Sequence, residues 1–343
     1  MIVQEGLGRD QDSDEEDERR QPPKHLQHRI LQRKGLPSIR IPPSVGARVA
    51  IKPAVSSALL GFLYPSLLAA LVLTGIHAYL GVHVVERGVI FVDLSLAQIA
   101  ALGTTVAYLV GFDLHAGEAY LFSLGFTFLG AAIFAVSRVH RKTRIPQEAI
   151  IGIVYAVSAA VAILLMSKAT QETEHLKEML VGNILSVTWP ELFKTAVLYS
   201  LVGAFHYIFR ERFLLISMNE AEAERRGWNV KFWDFLFYVS FGFVVTSSVA
   251  IAGVLLVFCF LIVPSVTAML FAERLGPRLA IGWTMGTVVS AMGVAFSFLL
   301  DLPTGATIVG TFGASLLVVA GYWRAFRRVG NKVRGRSTAR AAL

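Results

Sequence analysis

The sequence predicts an all-α, polytopic membrane protein with eight or nine transmembrane helices. Three observations carry that prediction. The 343 residues are 55% hydrophobic and only 16% charged, where a soluble domain carries about 25% charge. The charges crowd into residues 1–53 and 324–343, so the middle is nearly uncharged and the mean hydropathy reaches +0.59. Through that middle, apolar segments of about 20 residues recur, each able to cross a hydrocarbon core of roughly 30 Å.

Residues 1–53 open with an acidic-then-basic strip (DQDSDEEDERR at 10–20) and contain Pro22, Pro23, Pro37, Pro42, Pro43 and Pro53. This composition predicts a disordered charged tail. No apolar run appears before about Ala54, so no signal peptide is expected at this start. His25 and His28 lack a neighbouring Cys or carboxylate cluster and read as solvated histidines. Residues 54–323 form the membrane domain, and 324–343 form a basic C-terminal tail.

Within the membrane domain, apolar spans fall near 59–80, 89–110, 119–136, 149–166, 192–209, 281–300 and 305–323. The stretch from Phe232 to Leu270 runs without a strong polar break. As one helix it would be about 58 Å long at 1.5 Å per residue, nearly twice what a bilayer needs. It must fold back, with the hinge expected between Thr246-Ser247-Ser248 and Gly253. Cys259 lies in this run as the only cysteine, so it forms no internal disulfide and reads as a small apolar residue.

Loop charge orients the spans. Loops 137–148, 210–231 and 271–279 and the C-terminal tail are basic, whereas 111–118 and 301–305 have no Lys or Arg and 167–182 leans acidic. These alternate correctly if 232–270 crosses twice, giving nine spans, a cytoplasmic C-terminus and an outside N-terminal tail. Arg40, Arg48 and Lys52 before the first span favour the eight-span alternative. The net charge of +8 sits in loops and tails beside apolar spans, so it acts as a topology signal and not as a nucleic-acid surface.

Few residues can carry chemistry. There is no G-x-x-x-x-G-K-[ST] loop, no H-E-x-x-H and no C-x-x-C. Neither ATP binding of the P-loop kind nor a nucleophile–base pair is expected, and no cofactor is assigned to the chain. Polar groups inside spans are costly and point to function. Asp93, Ser95 and Gln98 could form a polar stripe lining a cation path; alternatively Asp93 caps a helix or pairs with Arg87. His77 is a possible metal ligand or a packed hydrogen-bonding residue, and His206 reads as the latter. Asp301, before Pro303 and Gly305, reads as a helix cap. Glu273 and Arg274 follow the long apolar run, and a short amphipathic helix over Ser265–Leu275 would present them to the cytoplasm. The charged strip Ile216–Gly227 (ISMNEAEAERRG) adds a surface at which a soluble partner could meet the membrane domain.

Five segments in order, over about 59–323, resemble the permease subunits of metal-ion ABC importers, which take up zinc, manganese or iron. They are Leu80–Gly88 (LGVHVVERG), Asp93–Gly103 (DLSLAQIAALG), Ile216–Gly227, the run from Val254-Leu255-Leu256 to Ile262-Val263-Pro264-Ser265, and Asp301–Ala306 (DLPTGA). The resemblance implies a type II importer permease in the cell's inner (plasma) membrane, embedded in lipid and working as a homodimer. It implies a cytosolic ATPase dimer that holds ATP and Mg and an extracytoplasmic metal-binding protein that delivers the ion. Asp93, Gln98 and His77 become candidates for the metal path, and Glu273 and Arg274 for coupling to the ATPase. One departure stands out: Gln98 occupies the place where the family carries histidine, with the acid one position off, at Asp93. Two alternative readings are a cobalamin or iron-siderophore permease, which runs to a longer chain, and a secondary transporter, which calls for more buried charge.

Overall fold

The computed structural model describes residues 53–113, 116–138, 145–167 and 184–341, with side chains between 64 and 325. The N-terminal tail with His25 and His28, Arg141, Lys142 and Arg144, the acidic loop from 168 on, and the tail side chains beyond 325 lie outside the described residues. Every regular element among the described residues is helical.

The first helix, α1 (Pro53–Arg87), contains Pro65 and ends at Arg87. After a tight turn come α2 (Val92–Val110), α3 (Gly117–Val136) and α4 (Gln147–Met166). Helix α5 (Trp189–Ile208) begins at a capping box, in which Thr188 and Glu191 satisfy each other's backbone donors. Phe209 then separates it from α6 (Arg210–Met218), and the two helices meet at 75°. The polar strip read from sequence forms the end of α6 and all of α7 (Glu220–Arg225). Asn219 caps α7 by accepting from Glu222 N at 3.2 Å. Asn229 caps α8 (Val230–Ala252) in the same way, accepting from Phe232 N at 3.1 Å. The last three helices are α9 (Val254–Phe271), α10 (Leu275–Leu300) and α11 (Thr304–Ala341).

Eight of these helices are long and apolar enough to cross a membrane, and the bent pair α5–α6 brings the count to nine. The expected fold-back of 232–270 is present. Its hinge is one residue, Gly253, at φ 74° and ψ 160°, a region that is essentially glycine-only. The contacts of α8 and α9 establish the reversal. Helix α8 runs antiparallel to α1, with Asp234 bonded to Arg87 and Ser248 facing His77. Helix α9 returns: Ser265 donates to Ala78 O at 3.2 Å, and Ala272, just past its end, accepts from Arg278, which also pairs with Glu86.

Helix α1 is therefore the central post. Trp283 of α10 donates to its Gly75 O at 2.9 Å. Gly81 lies so close to Leu261 O and Ser265 Oγ that any Cβ there would collide with both. Small residues permit such approach where lipid supplies no hydrophobic drive between helices. Large apolar side chains such as Leu129, Ile153, Phe193, Leu201 and Leu317 point outward, as expected where the solvent is hydrocarbon.

The two faces differ in charge. Arg87, Arg138, the α6–α7 elbow, the 272–274 loop and Trp323 (which donates to Leu270 O) gather on one face. The opposite face holds Gly111, Gly253 and Asp301, with Tyr64 packed on Trp189 at 6.2 Å. The basic face is the cytoplasmic one by the positive-inside bias.

The structure corrects one expectation about an element. No separate helix covers Ser265–Leu275. Helix α9 continues through Pro264 to Phe271, and a three-residue loop, 272–274, leads directly into α10. Proline is tolerated there because neighbouring helices stabilise the broken ladder; Pro264 packs against Gly282 and Gly286 of α10. Asp301 closes α10 as its C-cap, in the left-handed conformation at φ 52°. Ser297 then ties the turn to α11 through Leu302 O and Thr304 Oγ1.

Candidate functional site

Two polar assemblies lie inside the helix bundle. The first is at mid-membrane. His77 on α1 is fully buried, and its Nδ1 donates to Leu73 O at 2.7 Å. A carbonyl only accepts, so the proton is on Nδ1 and the lone pair on Nε2, which faces Ser248 Oγ at 3.2 Å. Tyr199 of α5 joins the group through its hydroxyl, bonded to Ser248 and, at 3.3 Å, to Ser247. Asp93 sits in the first turn of α2, 1% exposed, and neither carboxylate oxygen has a hydrogen-bond partner.

Tyr199 thus bonds the same serine hydroxyl that His77 faces, and Asp93 is joined to neither by a hydrogen bond. Gln98 is not part of this group. Five residues along α2 place it about 140° around the helix from Asp93, on a half-buried stripe with Leu94 and Leu102. Among the described residues no three His, Cys, Asp or Glu side chains converge to hold an ion. One chain therefore offers an unpaired carboxylate facing inward and an amide facing outward. The alternative pairing of Asp93 with Arg87 does not occur, because Arg87 takes a different carboxylate.

That carboxylate is Asp234, in the second assembly, at the cytoplasmic end. Asp234 is fully buried, and Arg87 is 2% exposed at its side chain. Arg87 Nη1 donates to Asp234 Oδ1 at 2.8 Å, its Nε donates to Ser217 Oγ at 2.8 Å, and its guanidinium lies 3.9 Å over the Phe237 ring. Ser217 donates in turn to Phe213 O, so its oxygen also accepts from His83 Nδ1 at 2.8 Å. Arg138, from the α3–α4 loop, bonds the other oxygen of Asp234 and reaches Glu220 on α7 at 3.0 Å. Burial works against the Arg138 charge, but Asp234 and Glu220 outweigh it and hold the guanidinium above its ordinary value. Beside this network His206 donates from Nε2 to Ser240 Oγ at 2.8 Å and stacks on Phe213 at 4.3 Å, while its buried Nδ1 has no hydrogen-bond partner.

Asp234 thus joins α1, α8 and the α3–α4 loop, and Arg138 extends the network to the α6–α7 elbow. The elbow exposes Glu211, Arg212, Arg225 and Arg226, and Glu273 and Arg274 are exposed on the 272–274 loop of the same face. Sequence reading missed Asp234 because the run around it is so apolar. The available signal was the charge itself, the only acid in the span 230–252.

Comparison with known proteins gives a consistent result. A model of the ABC 3 transport family matches residues 60–323. The manganese transport system membrane protein MntC of Listeria innocua is 29% identical over 249 residues, covering 73% of this chain and 86% of that protein. A Haemophilus influenzae protein named "Probable iron transport system membrane protein" is 28% identical over 261 residues, covering 76% and 93%. Among solved structures, PsaBC from Streptococcus pneumoniae in complex with Fab aligns with a TM-score of 0.63 at 25% identity, covering 78% of this chain and 95% of that one. An ABC transporter in an inward-facing conformation shares the fold, with a TM-score of 0.60 at 21% identity over 79% of this chain and 90% of that one.

Proposed function

This chain belongs to the ABC 3 transport family, and on that premise we propose that it is the permease subunit of an ATP-driven importer of a divalent transition-metal ion. The observation that carries this reading is the family match across the whole membrane domain, 60–323. Relatives named for manganese and iron transport support the substrate class. The chain lacks a P-loop, so a separate cytosolic ATPase would hydrolyse the ATP, and an extracytoplasmic binding protein would deliver the ion.

The donor chemistry favours manganese over zinc. The half-buried face of α2 presents the Gln98 amide where a zinc path would use imidazole, and carbonyl and carboxylate oxygens suit Mn²⁺ better than softer ions. A second copy of the chain would complete the path, since the described residues of one copy gather no set of three His, Cys, Asp or Glu ligands. Asp93 and His77 would act from within each protomer. On the cytoplasmic side Glu273, Arg274 and the α6–α7 elbow form the surface for the ATPase. ATP-driven closure of the ATPase pair would move that surface and alternate access.

The test is metal uptake by proteoliposomes holding this chain, a cognate ABC ATPase and the matching binding protein, with Mn²⁺, Fe²⁺ and Zn²⁺ in competition. ATP-dependent Mn²⁺ uptake that zinc competes with weakly is the expected result. Uptake that persists with an ATPase lacking its P-loop lysine would exclude the reading. Gln98→His should shift preference toward Zn²⁺, and an unchanged preference would remove Gln98 from the path. Charge reversal of Glu273 and Arg274 should uncouple ATP hydrolysis from uptake.

A further inference from the structure

A cavity of about 640 Å³ opens on the outer surface of the bundle between α1, α5 and α10. Two glycines create it: a Cβ added to Gly75 of α1 or Gly203 of α5 would meet no atom within 4 Å. Trp283 forms one wall, with its indole nitrogen fixed on Gly75 O and its ring 46% exposed. The groove follows α5 from Ala196 to Tyr207, about 16 Å at 1.5 Å per residue. That is the depth of one leaflet, half of a roughly 30 Å core. It begins near mid-membrane, beside Val72, and ends at the cytoplasmic face, where α5 bends into α6.

At that end stands Arg210, its guanidinium 4.6 Å over the Tyr207 ring. None of the residues lining the groove is acidic, and among the described residues no carboxylate pairs with Arg210. An apolar channel one leaflet deep, closed by an unpaired cation and flanked by Tyr and Trp, matches the two ends of a phospholipid. A free anion would have no use for the apolar length. A metal ion would find no ligand.

We propose that this groove binds an anionic phospholipid of the cytoplasmic leaflet, its phosphate on Arg210 and one acyl chain lying over Gly203 and Gly75 against Trp283. The site adjoins both α5 and α10, so a bound lipid would brace the two helices against α1.

The test uses the full-length protein in nanodiscs that mix phosphatidylglycerol and phosphatidylcholine, with one of the two brominated on its acyl chains. The contribution of Trp283 is the emission of the wild type minus that of Trp283→Phe. Brominated phosphatidylglycerol should quench it at a mole fraction several-fold lower than brominated phosphatidylcholine does. Arg210→Gln should abolish that preference, and Gly203→Leu, which fills the groove, should abolish the quenching. Equal quenching by the two lipids in the wild type alone would overturn the proposal, leaving only ordinary annular contact. Protection of Trp283 from both lipids, with Gly203→Cys cross-linking to a second copy, would overturn it in favour of a subunit interface.

Discussion

At the scale of single residues, two buried aspartates have opposite circumstances. Asp234 accepts from two arginines, one of them 2% exposed. Its removal would leave a buried charge uncompensated, which costs about 3–5 kcal/mol. Asp234→Ala should therefore unfold much more readily in denaturant titrations in detergent, and a loss below about 1 kcal/mol would contradict the network. Asp93 has no partner on either oxygen. A buried carboxyl with no hydrogen bond costs stability, so Asp93→Asn should leave the unfolding midpoint unchanged or raise it while lowering metal uptake. A large loss of stability would show that Asp93 is structural. Arg138 lends itself to a pH experiment. Its folded value is raised, so its stabilisation is complete below the ordinary arginine value and disappears only as pH climbs through the higher folded one. The cost of Arg138→Gln should then be the same at pH 6 and pH 9. His77 and Asp93 were legible in the sequence as polar groups inside spans. Tyr199, which joins His77 through Ser248, was not, because a tyrosine in a span gives no signal until the fold brings its hydroxyl to that serine.

At the scale of elements, hydropathy located the spans well, since each must cover the same hydrocarbon thickness. It also required the fold-back, because no single crossing could hold 232–270. It could not choose the hinge residue among Thr246 to Gly253; that choice depends on backbone conformation, and only Gly253 takes φ 74° with ψ 160°. Gly253→Val should cost about 1–3 kcal/mol in that region and lower the yield of folded protein measured by size-exclusion chromatography. Wild-type yield and stability would mean that the hinge lies elsewhere. Proline misled in the opposite direction. Pro264 reads as a boundary in sequence, yet its ring fills the space left by Gly282 and Gly286, so α9 continues past it. The two short helices of the elbow escaped detection for a different reason: six or nine residues held by a cap and ion pairs leave no hydrophobic period to read.

At the scale of the whole molecule, the faces are distinguished by charge, and loop composition alone sorted most of them. Only α5 resists, because Glu191, Lys194 and His206 make it the least apolar crossing. The arrangement of nine crossings can be checked by labelling in a Cys259→Ser background. Glu273→Cys should react only with a reagent that reaches the cytoplasm, and Leu302→Cys should react with an impermeant one from outside. Labelling of both from the same side would require an even number of crossings between residues 273 and 302, in place of the single crossing by α10.

The one-residue reversal at Gly253 also bears on how the protein is made. The segment from Val230 to Phe271 has no connecting loop to translocate, so α8 and α9 would have to enter the bilayer together as a hairpin. Basic residues stand at both of its feet, Arg225 and Arg226 before it with Lys231 in its first turn, and Arg274 and Arg278 after it, and these hold both ends on the side of synthesis. Asp234 would enter with that hairpin, after Arg87 and Arg138 have already emerged. The buried charge of α8 thus meets its counterions already waiting, and the order of synthesis itself guards against an unpaired acid in lipid.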